Sequence, residues 1–138
     1  MTSHVSTLLI PAPAARVVQL LASPGDLAAW NPALTRTSGS PGVIADAGDS
    51  FDVTMLRVLR GTLEYVIVSP ELVRMHITVP GLSEDGAWSL SSVDGGTLVE
   101  HRILQRGRLA RHLAGEAPRV PALRLGRLRD RLRDPATQ

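Results

Sequence analysis

The stretch of sequence that decides the fold is residues 86–105, GAWSLSSVDGGTLVEHRILQ. Two alternating apolar and polar runs flank the turn sequence Asp94-Gly95-Gly96, a pattern that predicts a β-hairpin. With Gly95 and Gly96 as the turn, Asp94 pairs with Thr97. One face of this hairpin is apolar, so we expect it to point inward. The inward positions are Trp88, Leu90, Ser92, Val99, His101 and Ile103.

The chain before this hairpin carries further alternating runs that are separated by short turns. Arg60-Gly61 and Ser69-Pro70-Glu71 have turn chemistry, so sequential runs should pair antiparallel and form a meander. The predicted strands of the meander are residues 51–59, 62–68, 72–79, 86–93 and 97–105.

The same turns extend the predicted register to the earlier strands. The outward face then carries Arg57 opposite Glu64 on one side, and His76 opposite Glu64 on the other. The parity of residues 51–55 does not fit this register, and a bulge would explain the mismatch. The inward face continues through Leu56, Val58, Leu63, Tyr65, Ile67, Val73, Met75 and Ile77.

The pattern becomes helical after Gln105. Leucines recur at three, four and seven residues with arginines between them, which is typical of an amphipathic helix. Pro118 and Pro121 fall inside this segment and predict a kink or a break, with residues 121–133 as the firmer half. This helix is the long element that is able to cover the apolar face of the sheet.

The N-terminal part reads as one strand and two short helices. Residues 3–10 alternate like a strand, Pro13 suits the first turn of a helix, and Ser23-Pro24 starts a second helix that reaches Trp30. A short strand is expected at 34–38. The sequence therefore predicts one α+β domain over residues 1–138. Its curved antiparallel sheet of six or seven strands wraps around the long C-terminal helix, with two short helices after the first strand and a hollow under the long helix.

Composition excludes several kinds of chemistry. The chain of 138 residues has no cysteine, and all 15 of its basic residues are arginine. Disulfides, thiolate zinc sites, Schiff-base lysines and phosphate-loop lysines are therefore excluded. No pair of histidines has the spacing of metal ligands, so we expect no metal and no other cofactor. Four aromatic residues are too few for a stacking platform, so nucleic-acid binding is not expected.

Charge is distributed unevenly along the chain. Residues 1–100 hold five arginines and ten acids, a net −5, whereas residues 101–138 hold ten arginines and three acids, a net +7. The interleaved leucines favour a solvated helix face, but an acidic partner for this helix stays open as an alternative. The sequence shows neither a signal peptide nor a membrane span, so we expect a cytoplasmic protein without stable membrane insertion, as a monomer or homodimer.

Several short motifs, in their order and spacing, resemble the START-like (SRPBCC) helix-grip superfamily, in particular its polyketide cyclase/dehydrase branch. The resemblance covers nearly the whole chain. It implies a helix-grip fold with a cavity for a hydrophobic small molecule between the sheet and the C-terminal helix. Some aromatase/cyclases of this family carry an inward arginine on the strand that corresponds to 62–69, where this chain has none. The matching motifs are Ile10-Pro11-Ala12-Pro13, Ser23-Pro24, Trp30-Asn31-Pro32, Gly48-Asp49-Ser50-Phe51, Glu64-Tyr65-Val66 and Trp88 with Gly95-Gly96-Thr97.

His101 and Tyr65 are the candidate catalytic residues. An inward imidazole is able to act as an acid or base near neutral pH, and an inward phenol is able to hold a carbonyl oxygen as an enolate develops. The alternative is structural: His101 satisfied by a neighbouring hydroxyl, and Tyr65 as an ordinary inward aromatic. The ligand-binding candidates are Trp30, Leu56, Leu63, Ile67, Met75, Trp88, Leu90, Val99 and Ile103.

Three functions remain open from the sequence. The first is a polyketide cyclase-like or aromatase-like enzyme that positions its substrate and assists by acid–base catalysis. The second is a carrier or sensor that binds lipid or metabolite in the same cavity without chemistry. The third is an interaction protein that uses its arginine-rich C-terminal helix.

Overall fold

The computed structural model describes residues 3–133 and contains seven strands, four α-helices and one 3-10 turn in that part of the chain. The elements in chain order are β1 Ser3–Ile10, α1 Ala14–Leu21, α2 Pro24–Trp30, β2 Leu34–Thr37, β3 Ser50–Met55, β4 Leu59–Val68, β5 Leu72–Val79, β6 Leu82–Val93, β7 Gly96–Arg106, α3 Arg108–His112, the 3-10 turn Ala117–Arg119 and α4 Val120–Arg133.

The strands form one antiparallel sheet in the order β1-β7-β6-β5-β4-β3-β2. Strands β2 to β7 follow one another as a meander, and β1 joins the far edge by pairing with β7. The sheet curls, and the C-terminal helix α4 packs on its inner face. The predicted class, an α+β sheet gripping a C-terminal helix, is confirmed.

Helix α4 covers the sheet with its leucines. Leu125, Leu128 and Leu132 are buried against the inner face, as their spacing of three and four residues predicts. Burying a leucine contributes about 2 kcal/mol. This one stripe therefore gives a large part of the energy that holds α4 on the sheet.

The C-terminal helical segment is interrupted in the region of the two prolines, where the sequence predicts a kink or a break. Pro118 lies in the 3-10 turn, and Pro121 lies in the first turn of α4, where its missing N–H costs no hydrogen bond. The short helix α3 is thereby separated from α4. Within residues 3–133, no helix has the length and apolar character that crossing a membrane requires.

The β6–β7 hairpin keeps the predicted faces but has a different register. Val93 pairs with Gly96, so the turn consists of Asp94 and Gly95, and Trp88 lies opposite His101 rather than Ile103. Gly96 must be glycine, because a Cβ atom there would lie 2.1 Å from the carbonyl oxygen of Ile10. The close approach of β7 to the end of β1 therefore fixes where the hairpin begins.

The β3–β4 hairpin differs from the prediction. Met55 pairs with Leu59, so the turn runs through residues 56–58 and not through Arg60-Gly61. Leu56 is 42% exposed and Val58 is 77% exposed, so their predicted inward orientation is wrong, as is a strand pairing of Arg57 with Glu64. The parity that the sequence analysis found irregular is in fact regular, because Val53 and Met55 face the core.

A bulge in β4 makes the predicted inward orientation of Ile67 wrong as well. Tyr65 pairs with Met75, but the next pair joins Ile67 to the exposed Arg74. The extra residue reverses the parity of the strand end, so Ile67 moves to the outer face. Glu64 pairs with His76 as predicted.

Candidate functional site

Four polar side chains meet between the inner face of the sheet and α4. Glu84 of β6, His101 and Gln105 of β7, and Arg124 of α4 form what we call the buried polar cluster. Glu84 is 2% exposed, His101 0% and Arg124 3%. Charged side chains are rarely buried so completely unless they are paired.

Arg124 and Glu84 form a two-pronged ion pair. The Arg124 Nη1 atom donates to Glu84 Oε2 at 2.7 Å, and Nη2 donates to Glu84 Oε1 at 3.0 Å. The Gln105 amide donates to Glu84 Oε1 at 2.9 Å. Burial raises the pKa of Glu84, but the charge of Arg124 and these hydrogen bonds outweigh it, so the pKa is lowered overall. Glu84 is therefore a carboxylate at neutral pH.

His101 is a neutral imidazole whose two nitrogens are both engaged. Its Nδ1 atom donates to the Ala87 carbonyl at 3.0 Å, and its Nε2 atom accepts from Arg124 Nη1 at 3.4 Å. Burial and the Arg124 charge lower the pKa of His101 to about 3. These bonds define one tautomer, with the proton on Nδ1.

Aromatic rings extend the cluster toward α2. The His101 ring stacks on Trp88 at 3.5 Å between centroids, and Trp88 meets Trp30 edge-on at 5.4 Å. Two buried donors of this group, Trp30 Nε1 and Arg124 Nε, have no hydrogen-bond partner among the described residues. Such unpaired buried donors are uncommon in native proteins.

The hollow at this site is almost filled. The cavity that the cluster lines measures ≈10 Å³, about the space of one water molecule. The sequence predicts a hollow under α4 that holds a ligand, but side chains occupy this space in the structure. The lining residues are Asn31, Leu34, Met75, Ile77, Glu84, Gly86, Trp88, His101 and Arg124.

Tyr65 lies on the inner face but is not hydrogen-bonded to the cluster. Its hydroxyl donates to the Leu21 carbonyl at the end of α1 at 2.8 Å, and its ring meets Phe51 edge-on. Burial raises the pKa of Tyr65. The phenol therefore links the sheet to α1, and its proton is already donated to the Leu21 carbonyl.

The remaining predicted ligand-binding residues divide into two groups. Leu56 lies in the exposed hairpin turn and Ile67 on the outer face, so neither is oriented toward the interior. Of the others, Trp88 and Met75 line the small cavity. The buried, inward-facing residues are Trp30, Leu63, Met75, Trp88, Leu90, Val99 and Ile103.

Sequence reasoning missed Glu84 and Arg124. Residues 80–85 looked like a turn, but β6 begins at Leu82, and Glu84 shares the parity of Trp88. Arg124 looked like part of a solvated face, although it lies four residues before Leu128 on the buried side of α4. The two-residue period of the strand places Glu84 on the inward face, and the helical period of α4 places Arg124 on the buried side. Both residues could therefore have been found from the sequence.

The cluster offers hydrogen-bond donors rather than a metal site. In the described part of the chain, no three metal-ligating side chains come together. An oxygen acceptor of a ligand would find guanidinium and indole N–H groups beside flat aromatic surfaces. The buried guanidinium comes from the C-terminal helix, whereas the strand residues 62–69 contribute none.

Comparison with known proteins agrees with this architecture. Residues 1–133 match the family described as "Polyketide cyclase / dehydrase and lipid transport". The fold is similar to protein MLL2253 from Mesorhizobium loti, at a TM-score of 0.76 and 16% identity over 95% of this chain and 96% of that one. Protein BH1534 from Bacillus halodurans gives 0.72 and 15% over 94% and 96%.

A further solved structure is DynU16, described as a protein in the dynemicin biosynthetic locus. It gives a TM-score of 0.70 at 18% identity, over 96% of this chain and 47% of DynU16. Among curated proteins, no sequence matches this chain. The helix-grip fold is thus shared with these structures, and the chain belongs to the polyketide cyclase/dehydrase and lipid transport family. Membership of this family supports a protein that binds a hydrophobic ligand.

Proposed function

We propose that this protein binds a hydrophobic small molecule carrying a hydrogen-bond acceptor between the sheet and α4, as a carrier or sensor. The observation that carries this proposal is the buried polar cluster, in which Arg124 Nε has no hydrogen-bond partner among residues 3–133. Trp30 Nε1, on the ring that meets Trp88, is a second such donor. An oxygen of the ligand would accept from these donors, and its apolar body would lie against the tryptophan rings.

Energetics favour a binding role for the cluster. A buried ion pair is often replaceable by apolar residues without loss of stability, so stability alone is a weak reason to keep one. A buried donor without a partner costs about 1–3 kcal/mol. A ligand acceptor that pairs with the donor would recover this cost. In a protein that binds no ligand, the unpaired donor would only lower the stability.

Ligand entry requires α4 to move away from the sheet, because the cavity now measures ≈10 Å³. The connection between β7 and α4 suits such a movement. It begins at Gly107, whose φ of 108° favours glycine, and among residues 107–119 only Ala117 is buried. A segment with few buried contacts opens at a lower free-energy cost than the core does.

Catalysis of the polyketide cyclase type is the second candidate, and the family description favours it. Against a general-base role, both nitrogens of His101 are engaged and its pKa is about 3, far from neutral pH. If the enzyme function is correct, His101→Gln abolishes turnover of a polyketone substrate but preserves ligand uptake. A carrier keeps its full activity in the same variant.

The test uses two glycine-to-alanine variants. Gly86 lines the small cavity, and a methyl group there would lie 3.6 Å from His101 Cε1, an ordinary contact. At Gly126 on α4, the methyl group meets nothing within 4 Å. We expect Gly86→Ala to weaken ligand uptake roughly tenfold, because one methyl group in a packed site costs about 1–3 kcal/mol. Gly126→Ala should leave uptake unchanged.

Uptake is measured with palmitic acid and 1,8-dihydroxyanthraquinone as probes, by titrating the emission of Trp30 and Trp88, the two tryptophans of the chain. Native mass spectrometry of freshly purified protein complements this by detecting a co-purified small molecule. The proposal fails if neither probe changes the emission and no small molecule travels with the protein. It also fails if Gly86→Ala binds as tightly as Gly126→Ala.

A further inference from the structure

A second cavity, open and ≈710 Å³ in volume, lies on the outer side of the sheet at the edge formed by β2, β3 and β4. Its charged lining residues are Arg36, Arg57, Arg60 and Asp52, and all four are exposed. We call this cavity the arginine groove. Its volume lies within the range of small-molecule sites.

The strand register sets two of the arginines on either side of Thr54. Arg36 of β2 pairs with Thr54, and Thr54 pairs with Arg60 of β4. Directly paired residues share a face, and neighbouring strands lie about 4.8 Å apart, so the two arginine Cα atoms are separated by about 10 Å. Two long side chains at this spacing are able to reach one ligand from opposite sides.

The third arginine comes from the β3–β4 turn. Leu56 and Arg57 have φ angles of 51° and 74°, values that non-glycine residues adopt at a cost. The Arg57 N–H donates to Thr35 Oγ1 at 2.8 Å, which ties the turn to β2. This strained turn, held by the neighbouring strand, brings Arg57 to the groove.

The groove lies on the opposite face of the sheet from the buried polar cluster. On β3, Asp52 and Thr54 line the groove from the outer face; Val53 also lines it, but its side chain is 3% exposed and belongs to the core, as does that of Met55. A ligand in the groove therefore does not compete for space with one under α4. Binding in the groove is thus independent of binding under α4.

The groove has a surplus of positive charge. Among residues 3–133, the guanidinium groups of its three arginines form no ion pair and no hydrogen bond. Three arginines and Asp52 leave a net charge of +2. A phosphate monoester carries about −1.5 to −2 at neutral pH, and the planar guanidinium fork matches phosphate oxygens. We propose that the arginine groove binds a phosphate monoester dianion.

The experiment compares two variants of the outer face of the sheet. Arg36→Gln/Arg60→Gln removes the two arginines that flank Thr54, and the matched control Arg74→Gln removes an exposed arginine of β5 outside the groove. The probes are glycerol 3-phosphate and vesicles of phosphatidylcholine with phosphatidic acid. Binding is followed by the amide shifts of Ser38 and Thr54 and by co-sedimentation. The unfolding midpoint of each variant checks its fold.

We expect glycerol 3-phosphate to bind with a Kd on the order of 1 mM and to shift the groove amides. The double variant should weaken binding roughly tenfold or more, because charge-assisted hydrogen bonds are lost, while Arg74→Gln should not. Binding to the vesicles alone, with the same dependence on Arg36 and Arg60, identifies a lipid headgroup as the source of the phosphate. Absence of binding to both probes, or equal binding by the two variants, overturns the inference.

Discussion

At the scale of single residues, the Arg124–Glu84 pair is the feature whose energetics are most informative. Arg124→Met leaves the Glu84 carboxylate buried without its cation, which should cost about 3–5 kcal/mol. Glu84→Gln/Arg124→Met removes both charges and keeps an acceptor for Gln105, so most of this loss should be recovered. Urea denaturation of both variants, followed by tryptophan emission, measures the difference.

The comparison also tests why the cluster is retained. Recovery of stability in the double variant means that the ion pair is not needed for folding, which agrees with a role in binding. If the double variant is as unstable as Arg124→Met, the pair is a structural requirement of this interior. Burial of the pair would then be explained by stability and would no longer support ligand binding.

At the scale of elements, the close approach of β4 to β5 depends on Gly61. A Cβ atom there would lie 1.8 Å from the carbonyl oxygen of Thr78 and 2.8 Å from the carbonyl carbon, and backbone atoms do not move aside at low cost. Gly61→Ala should therefore destabilise the protein by about 3 kcal/mol, as overpacking does. Thermal unfolding measures this, with Gly126→Ala as the control. An unchanged midpoint would show that the two strands are not this close.

The elements themselves differ in how far the sequence specifies them. An interruption of the C-terminal helical segment, as a kink or a break, was predictable because prolines act locally on a helix. The β3–β4 turn was not, since Leu56 and Arg57 adopt positive φ angles that normally call for glycine or asparagine. The bulge before Ile67 likewise leaves no local signal, because it depends on pairing with β5.

The same limits explain which residues of the candidate site could be predicted from the sequence. His101 was predictable because its strand alternates regularly and begins at an unmistakable glycine turn. Glu84 was lost with the boundary of its strand, and Arg124 because an arginine among arginines is expected in solvent. Glu84, the carboxylate that stabilises the buried Arg124 guanidinium, lies 40 residues away in sequence, on another element.

At the scale of the whole molecule, stability should depend on pH through His101. The native state keeps this imidazole neutral with a pKa of about 3, whereas the unfolded chain protonates it below about pH 6.5. Between these values the unfolded state binds more protons, so the free energy of unfolding falls as the pH falls. The lowered pKa of Glu84 adds a loss of the same sign at lower pH, because its carboxylate stabilises the native state.

The His101→Gln variant isolates the histidine contribution. Each pH unit within the window contributes about 1.4 kcal/mol for one proton, so between pH 6 and pH 4.5 the wild type should lose about 2 kcal/mol more than the variant. The readout is the slope of stability against pH, measured by urea denaturation, and not its absolute level, which the substitution also changes. Parallel slopes would mean that His101 becomes protonated in the native state as readily as in the unfolded chain. That result is incompatible with an imidazole buried between Trp88 and a guanidinium group, and the closed interior described for this site would then be open to water.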